Sequence, residues 1–486
     1  MAGPANRSRS KTIRPKFNTF SLADHAMGRY LKGKHGLWYL NGGYPSILGF
    51  AGRGNTFKSA LSGTMATMMS LRYEFEYTEF YDTEMSMQVA RIQDYINSVA
   101  EQHHWDEVPQ INELMESEAT TWNFTASDLQ TGDQWWADHC RKERVSRSKI
   151  ADGKLRTTPW LNIDGSQVKI PNPWSFTVDS LSELHTASVE AKFEKGTIGA
   201  SELNTEAMDD ARSKAQLLKQ MPNVAAQGGY TFGLIAHADD ELKMDMYAPS
   251  TKKLDGLKGN LKLKGVPGRG FTFLTNSCLL AININNGLNK SDKMPEYPRP
   301  GTTPTVGDTD LRIVTYMELR GKSGPTGAIM ELAFSQREGF LVGVTEFHYL
   351  KETLKSFGME SSGNGGGIKR LDLLPDVSFT RKTIREVCKE NEKFSRALSI
   401  TASLGHIYHN NFEIDEALKI PLAELYTKVK DAGFDWDKIL SGSVEYWYFE
   451  DQTKKLNKPT VTARTILGMA SGEFTTKHKI LKVLAL

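Results

Sequence analysis

Short apolar runs alternate with stretches of helical period along much of this chain. Tyr44 to Ala51 (Tyr-Pro-Ser-Ile-Leu-Gly-Phe-Ala) has the length and content of a buried strand. Ala60 to Met69 follows with the small and apolar residues of a packed helix. Tyr73, Phe75, Tyr77 and Phe80 lead a second strand into Glu79–Met87. Trp174–Leu181, Tyr230–His237 and Leu311–Leu319 read as further strands, and another begins at Phe271 and Phe273 and runs through Leu279–Ile284. Helices are predicted over Ser21–Gly33 (apolar at Leu22, Met27, Tyr30 and Leu31), over Asn204–Met221, and after Pro421, with Leu422, Leu425 and Val429 inward and Gly433 as the stop. Strands alternating with helices predict an α/β fold around a mainly parallel sheet. Leu155–Ile170, with Asp164-Gly165 at its middle, reads as a β-hairpin.

A chain of 486 residues has room for two or more domains and a full core. Apolar content of 39% and charged content of 24% place it with globular chains. No apolar run reaches the roughly 18 residues of a membrane span, and the first eight residues lack the apolar core of a secretory signal. Cys140, Cys278 and Cys388 are odd in number and far apart, so neither a disulfide framework nor a zinc site is expected, and a reducing cytoplasm fits. A net charge of +2 means that any affinity for nucleic acid must come from local patches.

Residues 1–20 carry Arg7, Arg9, Lys11, Arg14 and Lys16 with no acid, a mobile basic arm that is either a solvated tail or a contact to DNA or a neighbouring subunit. Glu360–Gly367 reads as a flexible linker and a domain boundary, followed by a mostly helical part with a small core at Tyr446, Trp447, Tyr448 and Phe449. The expected domains are therefore an arm and helix over 1–33, a core over 34–359, and a helical C-terminal domain over 368–486. Residues 98–170 read as an insertion on the core. Its tryptophans (Trp105, Trp122, Trp135, Trp136 and Trp160) are expected to be local core rather than a base-stacking platform.

The chemistry gathers on Gly52-Arg53-Gly54-Asn55-Thr56-Phe57-Lys58-Ser59. Strand, glycine-rich turn and helix is the context of a phosphate loop. Glycines let backbone N–H groups turn toward an anion, and the helix N-terminus adds its positive end. Lys58 would neutralise β- and γ-phosphate charge, and the Ser59 hydroxyl would ligate Mg²⁺. The usual glycine before the lysine is Phe57 here, and a chance glycine loop before a core helix is the plain alternative. The strand before Tyr81-Asp82-Thr83-Glu84 ends in carboxylates, at the sheet edge where open α/β folds bind ligands; these acids alternatively cap the next helix. Lys243, Lys252, Lys253, Lys258, Lys262, Lys264 and Arg269 outnumber Asp245 and Asp255 between residues 243 and 270. With its glycines and prolines this stretch reads as a mobile basic loop suited to a phosphate backbone, or as a plain solvated loop.

The Phe-Lys-Ser of the loop resembles the ATPase loop of UvsX-type phage recombinases, members of the RecA family. The resemblance covers roughly residues 34–355, with five signatures in family order. It implies a RecA-like ATPase core that uses ATP and Mg²⁺, with Gly52–Ser59 around the phosphates and Arg91 near the base. It implies Glu84 as the residue orienting the attacking water and Asp179, at the end of the Trp174–Leu181 strand, as the Mg²⁺ partner of Ser59. His237, otherwise a lone structural histidine, stands where the family senses the γ-phosphate. Lys192–Ala200 lies where a first DNA loop would be, and the N-terminal helix would pack on an adjacent protomer. Arg320 and Lys322 would reach a neighbour's γ-phosphate. The implied activity is filament formation on single-stranded DNA, with homologous pairing and strand exchange against duplex DNA. Single-strand-binding or mediator proteins are possible partners, and the host cell's cytoplasm is the implied location. Arg320-Gly321-Lys322-Ser323-Gly324-Pro325-Thr326-Gly327 also resembles a signature of DnaB-type hexameric helicases, although only about fifty residues precede the phosphate loop. A third alternative is a non-catalytic DNA-binding or structural protein on a degenerate nucleotide fold.

Overall fold

Strand β1 (Ile47–Gly52) is buried along its whole length, as an unbroken apolar run requires of a strand covered on both faces. The computed structural model that places it describes residues 13–126, 131–149, 154–195, 203–240, 261–322, 326–362, 367–410 and 418–486. Parallel partners flank β1 on both sides. The further strands are β2 (Tyr77–Asp82), β3 (Thr121–Ala126), β4 (Trp174–Asp179), β5 (Tyr230–Asp240), β6 (Leu261–Leu263), β7 (Ser277–Asn286), β8 (Leu311–Gly321), β9 (Ile329–Ser335) and β10 (Gly339–Phe340). In space they run β10-β9-β8-β7-β1-β5-β4-β2-β3, with β6 antiparallel on β5. Strands β7, β1, β5, β4, β2 and β3 are parallel to one another. Strands β8, β9 and β10 extend the sheet in antiparallel fashion. The fold is thus α/β around a large mixed, mostly parallel sheet, compatible with a phosphate-loop type of core.

Helix α1 (Lys58–Arg72) leaves the phosphate loop and is buried nearly all round. Its small residues permit close approach: a Cβ on Gly63 would sit 2.2 Å from the Tyr95 ring of α2 (Val89–Gln102). Two clusters of buried residues cover the sheet. One runs from Phe17 to Leu484 and the other joins Ile47, Phe176, Phe232 and Leu280 to α3 (Leu203–Gly228) through Leu218, Met221, Val224 and Ala225.

Several local expectations give way to tertiary pairing. The helix at Ser21 stops at Ala26, and Arg29–Lys32 instead pairs antiparallel with Trp38–Asn41. Gly28 lies against the Gly42 backbone, where a Cβ would meet Gly42 Cα at 2.3 Å. Phe271 and Phe273 lie on α4 (Gly268–Leu274), and the strand begins only at Ser277. Two residues apart on a helix, they face different ways: Phe271 is buried and Phe273 is 58% exposed. Residues 98–170 are not simply an insertion, because β3 within them is the sheet's edge strand. Trp122, Trp135, Trp136 and Trp160 in this stretch are buried and Trp105 is half-buried, but Trp160 packs on Trp447 from the C-terminal part rather than in a local core. The hairpin pairs Arg156–Leu161 with Gln167–Ile170.

Of the expected linker Glu360–Gly367, residues 363–366 lie outside the described residues. On either side of it, Met359–Ser362 and Ile368–Leu371 are antiparallel partners in a three-stranded sheet. The C-terminal helices share the first cluster with the core. Trp447 is fully buried against Tyr73 and Trp160, and its indole N–H donates to the Lys16 carbonyl (2.7 Å). The segment around Lys16 is therefore part of the fold, not a tail. Trp447→Ala should lower the unfolding free energy by about 3–5 kcal/mol, seen as a fall in the urea midpoint; an unchanged midpoint would mean the C-terminal helices are not held through this ring.

Candidate active site

Four adjacent strands, β1, β5, β4 and β2, end at one edge of the sheet, and each delivers a polar group there. The phosphate loop follows β1. Asn55 and Phe57 adopt left-handed backbone conformations, both with φ of 58°, which costs a non-glycine residue roughly 1–2 kcal/mol. Phe57 occupies the glycine position, and its ring stacks on Phe334 of β9 at 5.0 Å. The loop is also held from β8, where the Tyr316 hydroxyl donates to the Thr56 carbonyl (2.7 Å). Lys58 is buried at the start of α1, and its ammonium donates to the Arg53 carbonyl (2.6 Å). Burial pushes this lysine down to about 8, against the opposing pull of Asp179 and Glu84.

The carboxylates divide their roles. Asp82 accepts the backbone N–H groups of Glu84 (3.0 Å) and Met87 (2.6 Å), so it shapes the turn after β2. Glu84 instead faces β5: His237 Nε2 lies 2.5 Å from its Oε1. An ionised carboxylate only accepts, so this nitrogen carries the proton. The His237 hydrogen bond is the main cause holding the Glu84 carboxyl down at about 2, with help from Ser180 and the charges of His237 and Lys58, against burial. Asp179 is buried beside them. Burial raises its pKa to about 6, the Ser59 hydroxyl bonded to it opposes the rise, and the charges of Glu84 and Asp82 add to it.

Side chains absent from the sequence-based expectation lock these strand ends together. The Thr83 hydroxyl donates to the Ser180 carbonyl (2.6 Å) and accepts from the Ser180 N–H (2.8 Å). The Ser182 hydroxyl accepts the His237 N–H (2.9 Å). Their only signal in the sequence is a short hydroxyl residue just past an apolar run. Ser59 and Asp179, in contact, offer one hydroxyl and one carboxylate, oxygen donors of the kind that would suit a Mg²⁺. Among the described residues no group of three or more His, Cys, Asp and Glu forms a metal cluster.

Other expected site residues stand apart from Lys58. Arg91 pairs with Asp94 (3.7 Å) on α2 and lies over the Tyr95 ring, whose hydroxyl reaches the Ser59 carbonyl (3.4 Å). Arg320 pairs with Cys278, which in turn pairs with Gly49, so Arg320 and Lys322 sit toward the sheet edge where β1 begins. They do not face this chain's own loop, and the Arg320 guanidinium covers Phe273 at 4.4 Å.

Within the basic segment, Lys243, Lys252, Lys253 and Lys258 lie outside the described residues. Its other end is not a loop. Lys262 is on β6, Arg269 is on α4, and the Lys264 ammonium pairs with Glu183 (2.9 Å). β6 pairs with β5 because the ladder satisfies its backbone groups. Beyond it the Lys264 N–H donates to the His237 carbonyl (2.8 Å), tying the segment to the site.

Compared with protein-family models and with curated protein sequences, the chain matches none. No helix among the described residues is long and apolar enough to cross a membrane.

The His237 contact makes a pH prediction. Because the folded pKa of Glu84 is depressed from 4.5, its stabilising contribution is complete above pH 4.5 and is lost as the pH falls toward about 2. His237→Ala should move the Glu84 titration, followed by carboxyl carbon-13 NMR, upward by at least one pH unit. A Glu84 midpoint unchanged in the variant would refute the contact.

Proposed function

We propose that the chain is a RecA-type ATPase that assembles on single-stranded DNA and catalyses homologous pairing and strand exchange. The observation that carries the reading is the Glu84–His237 pair, set at the same sheet edge as Lys58, Ser59 and Asp179. A phosphate loop alone binds; a carboxylate kept ionised beside it can also align water.

In this reading Lys58 exchanges the Arg53 carbonyl for phosphate oxygens, and its charge offsets theirs. Ser59 and Asp179 would hold Mg²⁺, which would supply further neutralisation of phosphate charge when bound. Glu84 orients the attacking water through its ionised carboxylate, which His237 keeps aimed and ionised. Because the Lys264 N–H is bonded to the His237 carbonyl, a shift of His237 is passed directly to the basic segment that would track DNA. Arg320 and Lys322 would act on the nucleotide of the adjacent copy. Switching of this kind needs only that one γ-phosphate contact favour one of two arrangements.

The test is ATP turnover with and without single-stranded DNA. Turnover stimulated by DNA is expected, abolished in Lys58→Ala. Glu84→Gln should lower it by roughly 10²–10⁴-fold while still binding a non-hydrolysable ATP analogue. Wild-type turnover in Glu84→Gln, or turnover indifferent to DNA, would overturn the proposal.

A further inference from the structure

The sheet edge away from Lys58 holds a cavity of about 310 Å³. Arg14, Lys16, Arg29 and Lys322 line it together with Asn41 and Asn276, and no carboxylate is among its lining residues. Three separate pieces of chain supply the cations. Arg14 and Lys16 precede the bridge between Phe17 and Tyr44, Arg29 lies on a strand opposite Asn41, and Lys322 directly follows β8.

The asparagines hold this arrangement in place. Asn41 accepts the Lys16 N–H (2.8 Å) and donates to the Arg14 carbonyl (3.1 Å). Asn276 accepts the Ile47 N–H through its side chain (3.0 Å) and the Lys322 N–H through its carbonyl (3.2 Å). The cavity floor is thus pinned to the starts of β1 and β7.

The charges are offset only in part, by the Glu318 and Asp24 charges that act on Lys16. Among the described residues no ion pair engages Arg14, Arg29 or Lys322, and the Lys16 ammonium, itself buried, donates to the Met27 carbonyl. Burial lowers Lys16 to about 8, opposed by the Glu318 charge and reinforced by Arg29. Burial, Arg320 and Arg14 all lower Lys322. A concave site crowded with like charges, rigidly scaffolded and without an acid, is relieved by an anion bearing several oxygens.

We propose that this cavity is a second phosphate site, which takes the terminal phosphates of a polyphosphate through Arg14, Arg29 and Lys322. The anion has two possible sources, free in solution or held in the phosphate loop of a second copy. The second source rests on the proposed binding of ATP; the cavity itself does not. It is geometrically open because the loop and the cavity lie at opposite ends of β1, roughly 17 Å apart along a six-residue strand. Stacking copies head to tail would bring one end over the other, a heterologous contact that propagates.

The test is calorimetric titration of the full chain with inorganic pyrophosphate. Lys58→Ala silences the phosphate loop, and binding of one pyrophosphate per chain should survive it. Adding Arg14→Ala with Arg29→Ala should weaken that binding at least tenfold. Arg212→Ala with Arg337→Ala, an equal loss of charge at exposed positions, should leave it unchanged. Equal weakening by the two pairs, or no binding once Lys58 is replaced, would overturn the site. Should Lys58→Ala not fold, the Arg14 and Arg29 pair must remove one of two sites in the otherwise native chain, and an unaltered two-site isotherm would overturn it. Sedimentation velocity then separates the sources. ATP-dependent self-association lost in the Arg14 and Arg29 pair identifies the neighbouring copy; association retained while pyrophosphate binding is lost identifies the free anion.

Discussion

The ladder around β1 is the constraint on which the site depends. This strand is buried on both faces and hydrogen-bonded on both sides, by β5 and β7. Its register sets Gly52 opposite His237, and the β2–β4 register sets Asp82 opposite Asp179. A slip of one residue would turn every buried side chain to the other face. The phosphate-loop start, the histidine, Asp82 and Asp179 are consequently placed by backbone pairing, independently of their own side-chain contacts. Thr83 and Ser182 then fasten strand ends that are already in line.

Within that frame, electrostatics separates two acids that ordinary values would leave much closer. Burial brings Asp179 up to about 6, while His237 holds Glu84 near 2; burial also brings Lys58 down to about 8. Two acids at one edge thus differ in proton affinity because one has a close hydrogen-bond donor and the other has burial and like charge around it. A divalent cation beside Ser59 would reverse the balance at Asp179, the same change the proposed chemistry requires. Phe57 fits this economy of parts: a strained backbone position is retained with a ring that couples the loop to Phe334 on the antiparallel flank of the sheet.

Much of the parallel sheet and the order of its site residues could be read from local pattern. Fully buried parallel strands are continuous apolar runs, and the groups at their ends follow directly in sequence. Tertiary choices were hidden. Arg29–Lys32 continues a helical pattern but pairs as a strand because Tyr30 and Leu40, directly opposite each other, are buried together. Phe271 and Phe273 alternate like strand residues yet sit on a helix. Lys16 resembled its neighbours in a basic arm, but its backbone is held by Asn41 and Trp447. The approach of His237 to Glu84 joins residues 153 apart, which no periodicity encodes.

As proposed, the chain is an ATPase whose two sheet edges meet between copies on DNA. Negative-stain electron microscopy with single-stranded DNA and a non-hydrolysable ATP analogue tests it most directly. Long striated helical filaments that vanish without nucleotide are predicted. Closed six-membered rings, or monomers under both conditions, would contradict it.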